Sequence, residues 1–212
     1  EEDAGGEPTA GDPALAARYF NWLQRHCQGC TVLAADLLDG PAMISWLRRF
    51  LKVAHKPRLW GLHPYYEGAY GGDGKLEDML RLVHGRVWFT ETGAPVWRYV
   101  LLRRRFDAPG QRSQTQELSR ELSLARLSSR ITRVYVYQWR NPGTLAQSRA
   151  RLALHEPVRD TWDSGLLRPG CSTRPAFALL ARAVGLNPAG APPAAPTADD
   201  LACVAPAVAP TA

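Results

Sequence analysis

Four points along this sequence carry residue types suited to chemistry, and each directly follows a short apolar run. Asp36 follows Thr31–Ala35 (TVLAA), and His63-Pro64-Tyr65-Tyr66 follows Arg58–Leu62 (RLWGL). Glu91 follows Val87–Thr90 (VWFT), and Trp139-Arg140 follows Ile131–Gln138 (ITRVYVYQ). A carboxylate held rigidly at the end of a strand can serve as a nucleophile or as an acid/base group. Aromatic rings offer faces for stacking on sugars, and carboxylates carry out glycosidic chemistry. Carboxylate, imidazole and several aromatic rings on a common rim would suit a carbohydrate.

That convergence requires the four runs to be parallel strands, because chemistry in parallel α/β folds collects at the strands' C-terminal ends. The segments between them read as helices. Asp12-Pro13 is a helix start, with Asp as N-cap and Pro at the first helical position, and Ala14–His26 continues it. Pro41–Ala54 is amphipathic, with Ile44, Leu47, Phe50 and Leu51 on one face. Leu76–Val83 is a short helix. Gln114–Ser128 is longer and buries Leu118, Leu122, Leu124 and Ala125, and Arg174–Val184 is the last helix. Ile131–Gln138, rich in β-branched and aromatic residues, is the strongest strand. Short buried strands alternating with helices predict an α/β fold of parallel βα units. Four strands make either a small open sheet or half of an eight-stranded barrel, which usually needs about 250 residues.

The 212 residues are 45% hydrophobic and 22% charged, a globular composition. No apolar run reaches the length of about 18 residues needed for a transmembrane helix, and no signal peptide is visible. The chain begins at Glu1 rather than Met, so a cut or processed N-terminus is expected. The net charge of +6 comes mostly from arginine, the lysines being Lys52, Lys56 and Lys75. Arg103-Arg104-Arg105 is the densest basic cluster, but no aromatic-interleaved patch accompanies it. Neither a nucleic-acid nor a membrane partner is therefore expected. Of the four cysteines, Cys27 and Cys30 form a CxxC after a helix, the wrong end for redox chemistry, and no second pair is spaced for zinc. A local disulfide or two inert thiols remain, and a disulfide would point to export. The Ala/Pro-rich stretch 187–212 reads as a flexible tail, leaving 1–186 as the folded domain.

From about Asp12 to Ala183 the sequence resembles the C-terminal half of retaining (β/α)8-barrel glycoside hydrolases, in bacterial members of the cellulase-like superfamily. The likeness lies in Trp60-Gly61-Leu62-His63-Pro64-Tyr65-Tyr66 as the sixth strand and its exit, and in Trp88-Phe89-Thr90-Glu91-Thr92-Gly93 as the seventh. Arg133-Val134-Tyr135-Val136-Tyr137-Gln138-Trp139 would be the eighth, with Trp162-Asp163-Ser164-Gly165-Leu166 before a closing helix. The resemblance implies a partial TIM barrel, strands five to eight, with Glu91 as nucleophile. It implies that His63 and Tyr65 lie near that nucleophile and the sugar hydroxyls, and that Trp139 floors a sugar subsite. Tyr66 adds a further stacking surface. Asp36 would bind a sugar hydroxyl or cap the next helix. The acid/base Glu belongs after strand four, about where the chain starts, so Glu1 would be either that residue or a solvated terminal charge. No metal or organic cofactor is implied. A chain of strands five to eight would be a fragment of a longer enzyme, with open sheet edges that invite dimerisation.

Overall fold

The computed structural model describes residues 2–100, 105–141, 143–154 and 162–186. Glu1, Arg103, Arg104 and the 187–212 tail lie outside the described residues. In chain order the elements are α1 (Pro13–His26), β1 (Asp36–Leu38), α2 (Met43–Leu51), β2 (Leu59–His63), α3 (Tyr65–Tyr70) and α4 (Gly74–Leu82). Then come β3 (Arg86–Thr92), β4 (Trp97–Val100), β5 (Arg105–Asp107), α5 (Gly110–Leu124) and β6 (Ile131–Val136). The chain closes with α6 (Leu145–Ala153), β7 (Trp162–Asp163) and α7 (Pro175–Ala183). The described residues of Glu1–Ala94 and Glu117–Tyr137 form one compact unit, and those of Pro95–Gln116 and Gln138–Ala212 form another.

The first unit holds a four-stranded sheet in the order β1-β2-β3-β6, with every pair parallel. Asp36 pairs with Gly61, Gly61 with Trp88 and Trp88 with Arg133, so all four strands end on the same side. Each of the five residues of β2 is buried, as a central parallel strand requires. Its Trp60 packs edge-on to Phe50 at 5.8 Å, Phe50 stacks on Trp46 at 5.2 Å, and Phe20 closes the cluster 6.0 Å from Phe50. Both indoles keep a partner inside the core: Trp46 donates to the Thr9 carbonyl at 3.1 Å and Trp60 to that of His84 at 3.0 Å. α1 starts as its sequence dictates, with the Asp12 carboxylate accepting from the Leu15 N–H at 2.9 Å and Pro13 at its first position.

The strand expected at Thr31–Ala35 is displaced to Asp36–Leu38. Ala34 and Ala35 already make single bonds to β2, through Ala34 N–H to the Leu59 carbonyl and Gly61 N–H to the Ala35 carbonyl, each at 2.8 Å. Regular pairing starts only beyond them. Its outer edge, expected to be open, is partly closed. The Asp36 N–H donates to the Glu2 carboxylate at 2.6 Å, the Leu38 N–H donates to the Asp3 carboxylate at 2.8 Å, and the Glu2 N–H returns to the Asp36 carbonyl at 2.9 Å. Two acidic side chains thus stand where a neighbouring strand's carbonyls would be.

The second unit holds an antiparallel sheet, β5-β4-β7, that the alternating pattern does not anticipate. Its strands are two to four residues long, too short to show a period. Its anchor is a buried fork: the Arg174 guanidinium meets the Asp163 carboxylate through two N–H···O bonds of 2.9 and 2.7 Å. Phe50 is the hub of the first unit's aromatic cluster. Phe50→Ala should lower unfolding free energy by about 3–5 kcal/mol, read as a shifted urea midpoint. An unchanged midpoint would show that the core is not organised around that ring.

Candidate active site

The Asp36 side chain opens β1 and lies over Gly61 of the neighbouring strand. A Cβ at Gly61 would overlap the Asp36 carboxylate and come within 3.0 Å of the Thr90 hydroxyl, so this position needs glycine for space. Across that gap Thr90 donates to Asp36 Oδ1, and Asp36 Oδ2 meets His63 Nε2 at 3.1 Å. Burial acts to raise the Asp36 pKa, but the bonds from His63 and Thr90 outweigh it and hold the carboxyl below its usual value. Asp36 does not cap α2, whose N-cap is Ala42 and has no side-chain bond.

His63 is the last residue of β2 and only 4% exposed. Its second ring nitrogen, Nδ1, lies 3.6 Å from Glu91 Oε2. The same Glu91 oxygen accepts the Tyr65 hydroxyl at 2.9 Å, and the Tyr65 ring stands edge-on to His63 at 5.8 Å. Glu91 sits inside the end of β3 rather than beyond it. Its side chain is 39% exposed, so one oxygen is anchored while the carboxylate still faces solvent. Asp36, His63, Glu91 and Tyr65 form one continuous polar chain along the strand ends.

Behind it, three buried carboxylates pin the loops. Asp39 accepts the N–H groups of Tyr66 at 2.8 Å and Glu67 at 2.7 Å, fixing the start of α3 and with it Tyr65. Glu67 in turn accepts the Lys75 N–H at 2.6 Å and the Leu76 N–H, at the start of α4. Glu121 on α5 accepts the Gly93 N–H at 2.6 Å, two residues past Glu91. Gly93 has φ +137°, and any Cβ there would collide with the Tyr137 carbonyl. The chain therefore turns tightly under Glu121's carboxylate. Burial pushes all three carboxyls above their usual values, Glu121 furthest, with Glu117 and Asp39 adding repulsion to Glu121. Glu2, on the β1 edge, is raised by burial in the same way.

Of the residues singled out in the sequence, Asp36, His63, Tyr65 and Glu91 come together. Tyr66 is 43% exposed and lies 6.1 Å from the Tyr70 ring, outside the polar chain. Trp139 belongs to the second unit, where it is 53% exposed with its ring edge-on to Phe177 at 5.7 Å. Glu1 lies outside the described residues. Glu2, Asp39, Glu67 and Glu121 were not anticipated. Their only sequence signal is an acidic residue ahead of, or inside, a loop that a helix start must close. Cys27 and Cys30 form a disulfide. Among the described residues no group of three or more His, Cys, Asp or Glu side chains is placed to hold a metal ion, and no helix is long and apolar enough to cross a membrane.

No protein-family model matches the chain, and no curated protein does. Among solved structures it is similar to native xylanase 10B from Thermotoga maritima, with a TM-score of 0.54 and 10% identity over 81% of this chain and 52% of that one. The chain spans about half the length of that xylanase. It also overlaps, at a TM-score of 0.44, an uncultured Clostridium sp. β-glucuronidase, with 11% identity over 82% of this chain and 36% of that one. At such identity the likeness to the xylanase is one of fold. The chain is an α/β protein whose parallel sheet is similar to part of a TIM-barrel glycosidase, and among the described residues the sheet does not close into a barrel.

The raised Glu121 pKa has a definite sign. A carboxyl that holds its proton more tightly folded than unfolded makes stability fall as pH rises from the unfolded value toward the folded one. Glu121→Gln keeps an acceptor for the Gly93 N–H but removes the buried charge. It should equal or exceed the parent in stability at pH 8 and lose that advantage at pH 4, measured by urea unfolding at both values. A variant less stable at pH 8 than the parent would mean that the charge, not the acceptor, holds the loop.

Proposed function

We propose that this chain is the C-terminal catalytic half of a retaining O-glycosidase, with Glu91 as nucleophile. The observation that carries this reading is the Glu91 carboxylate itself: it stands at the C-terminal end of a parallel strand, open to solvent, with one oxygen held by the Tyr65 hydroxyl at 2.9 Å. The fold likeness to a xylanase over about half of that enzyme supports the architecture. The free Glu91 oxygen attacks the anomeric carbon while a second carboxylic acid protonates the departing glycosidic oxygen. The resulting glycosyl ester is then cleaved by water, with that second group now acting as base. We assign the acid/base role to Glu1. Glu2 is a poor candidate, because its carboxylate is engaged by the Asp36 N–H.

Tyr65 and His63 position Glu91. Tyr65 fixes one oxygen, and His63, braced on its other side by Asp36, stands 3.6 Å from that same oxygen. Near-attack geometry depends on such restraint. Substrate is then a glycoside or an oligo- or polysaccharide, with Tyr66 as an exposed stacking surface in the same unit as Glu91. The disulfide between Cys27 and Cys30 supports export, where carbohydrate polymers are met.

A second reading, carbohydrate binding without turnover, is favoured by the exposure of Tyr66 and Trp139. Assaying the full-length enzyme on a panel of aryl glycosides separates the two. Glu91→Gln should cut turnover on the order of a thousandfold or more. Full activity in that variant would end the nucleophile assignment. Tyr65→Phe removes one hydrogen bond to a charged group, so kcat should fall roughly ten- to a hundredfold with KM little changed. A loss in KM alone would make Tyr65 a sugar contact instead of a positioning residue. Saturable quenching of tryptophan fluorescence by oligosaccharides, with no product from any glycoside, would favour binding only.

A further inference from the structure

The outer face of α1 carries side chains that packing does not explain. Pro13, Ala16, Ala17, Phe20 and Asn21 turn inward, whereas Tyr19 and Trp22 stand 57% and 54% exposed. Helical spacing puts Leu15, Arg18 and His26 on the same outer side. Trp22 is braced there. Its ring stacks on His26 at 4.5 Å and 21°, and His26 Nδ1 lies 2.8 Å from the Trp22 carbonyl. One indole face is thereby fixed against a partner while the ring remains open to solvent.

Beside this stack, α1 and the segment that follows α2 form a groove of about 770 Å³, lined among others by Leu15, Arg18, Tyr19, Trp22, Arg25 and His55. Asn21 sets its wall, donating to the Val53 carbonyl at 3.0 Å and accepting the His55 N–H at 2.8 Å. None of the lining residues is acidic. Arg18 has a loose pair with Asp12 at 3.7 Å, both half-exposed, and among the described residues Arg25 is in no ion pair. The groove therefore presents two aromatic rings, two guanidinium groups and an imidazole, with aliphatic contact only from Leu15 and Val53.

We propose that this groove is a second carbohydrate site, separate from Glu91, that takes a uronate-bearing sugar chain. Aromatic rings stack on the apolar face of a pyranose, and a guanidinium forks onto a sugar carboxylate with two parallel hydrogen bonds. A neutral glycan would use the rings and leave Arg25 without a partner. The ligand class rests on the carbohydrate reading above, but the site shares no residue with the polar chain around Glu91.

The test is a calorimetric titration of the whole chain with a short galacturonate oligomer and with a neutral glucose oligomer of the same length. The acidic oligomer should bind saturably, more tightly than the neutral one, and more weakly as salt is raised. Trp22→Ala should weaken it roughly tenfold or more, and Arg25→Gln several-fold. Both residues are exposed, so both variants should keep the parent's circular dichroism. Glu91→Gln should bind the oligomer as the parent does, which separates failure of this site from failure of the nucleophile assignment. Equal affinity for the two oligomers, or acid-sugar binding untouched by Trp22→Ala, would overturn the proposal. So would self-association that Trp22→Ala abolishes without any sugar binding, which would make the face a protein contact.

Discussion

Every backbone N–H that a strand or helix leaves unpaired must find an acceptor, and in the first unit buried carboxylates supply it. The β1 edge is satisfied by Glu2 and Asp3, the start of α3 by Asp39, the start of α4 by Glu67, and the turn after β3 by Glu121. A charge-assisted bond is short and strong, which suits a loop that must hold one geometry. The cost is desolvation, visible as the raised pKa of Glu2, Asp39, Glu67 and Glu121. The fold thus spends stability at neutral pH to fix the loops beyond its strand ends.

The polar chain through Asp36, His63, Glu91 and Tyr65 depends on that arrangement. Tyr65 reaches Glu91 only because Asp39 holds the first turn of α3, and Glu91 keeps its direction because Glu121 and the tight turn at Gly93 stop the strand from running on. Gly61 plays the complementary part from below. By having no side chain it lets the Asp36 carboxylate cross to Thr90 and His63. Here the favourable bonds outweigh burial, so Asp36 is held ionised where its neighbours are pushed the other way. Environment, not residue type, sorts the carboxylates of this unit into ionised and proton-seeking groups.

Strand existence was legible where the apolar run was strong. RLWGL, VWFT and ITRVYVYQ each contain or overlap the strand found, to within a few residues at their ends. TVLAA ends in a strand only beyond its last residue: Ala34 and Ala35 alone are buried and make only isolated bonds to β2, so the ladder begins where the run stops. The second unit was illegible for a different reason. Strands of two to four residues leave no period, and the Arg174–Asp163 fork that anchors them joins the WDSGL segment to the start of the last helix only once the chain is folded. α6, by contrast, carries an open local signal in its Thr144/Gln147 capping box.

By itself the sequence determined the parallel βα order of the first unit and the set of side chains at its strand ends, because hydrophobic runs and their exits are local properties of the chain. It placed Asp36, His63 to Tyr66, Glu91 and Trp139-Arg140 at strand exits, and of these Asp36, His63, Tyr65 and Glu91 come together. Only the tertiary structure decided what they do to each other there. That Asp36 reaches His63 across a glycine, that Tyr65 rather than Tyr66 holds Glu91, and that Trp139 stands in another unit all follow from register and helix phase. A one-residue slip in strand register would send each strand side chain to the opposite face, and a one-residue shift in helix phase would turn Tyr65 by about 100°. The buried carboxylates belong to the same class, since an acidic residue becomes a loop pin only when folding removes water from it and brings an N–H within reach.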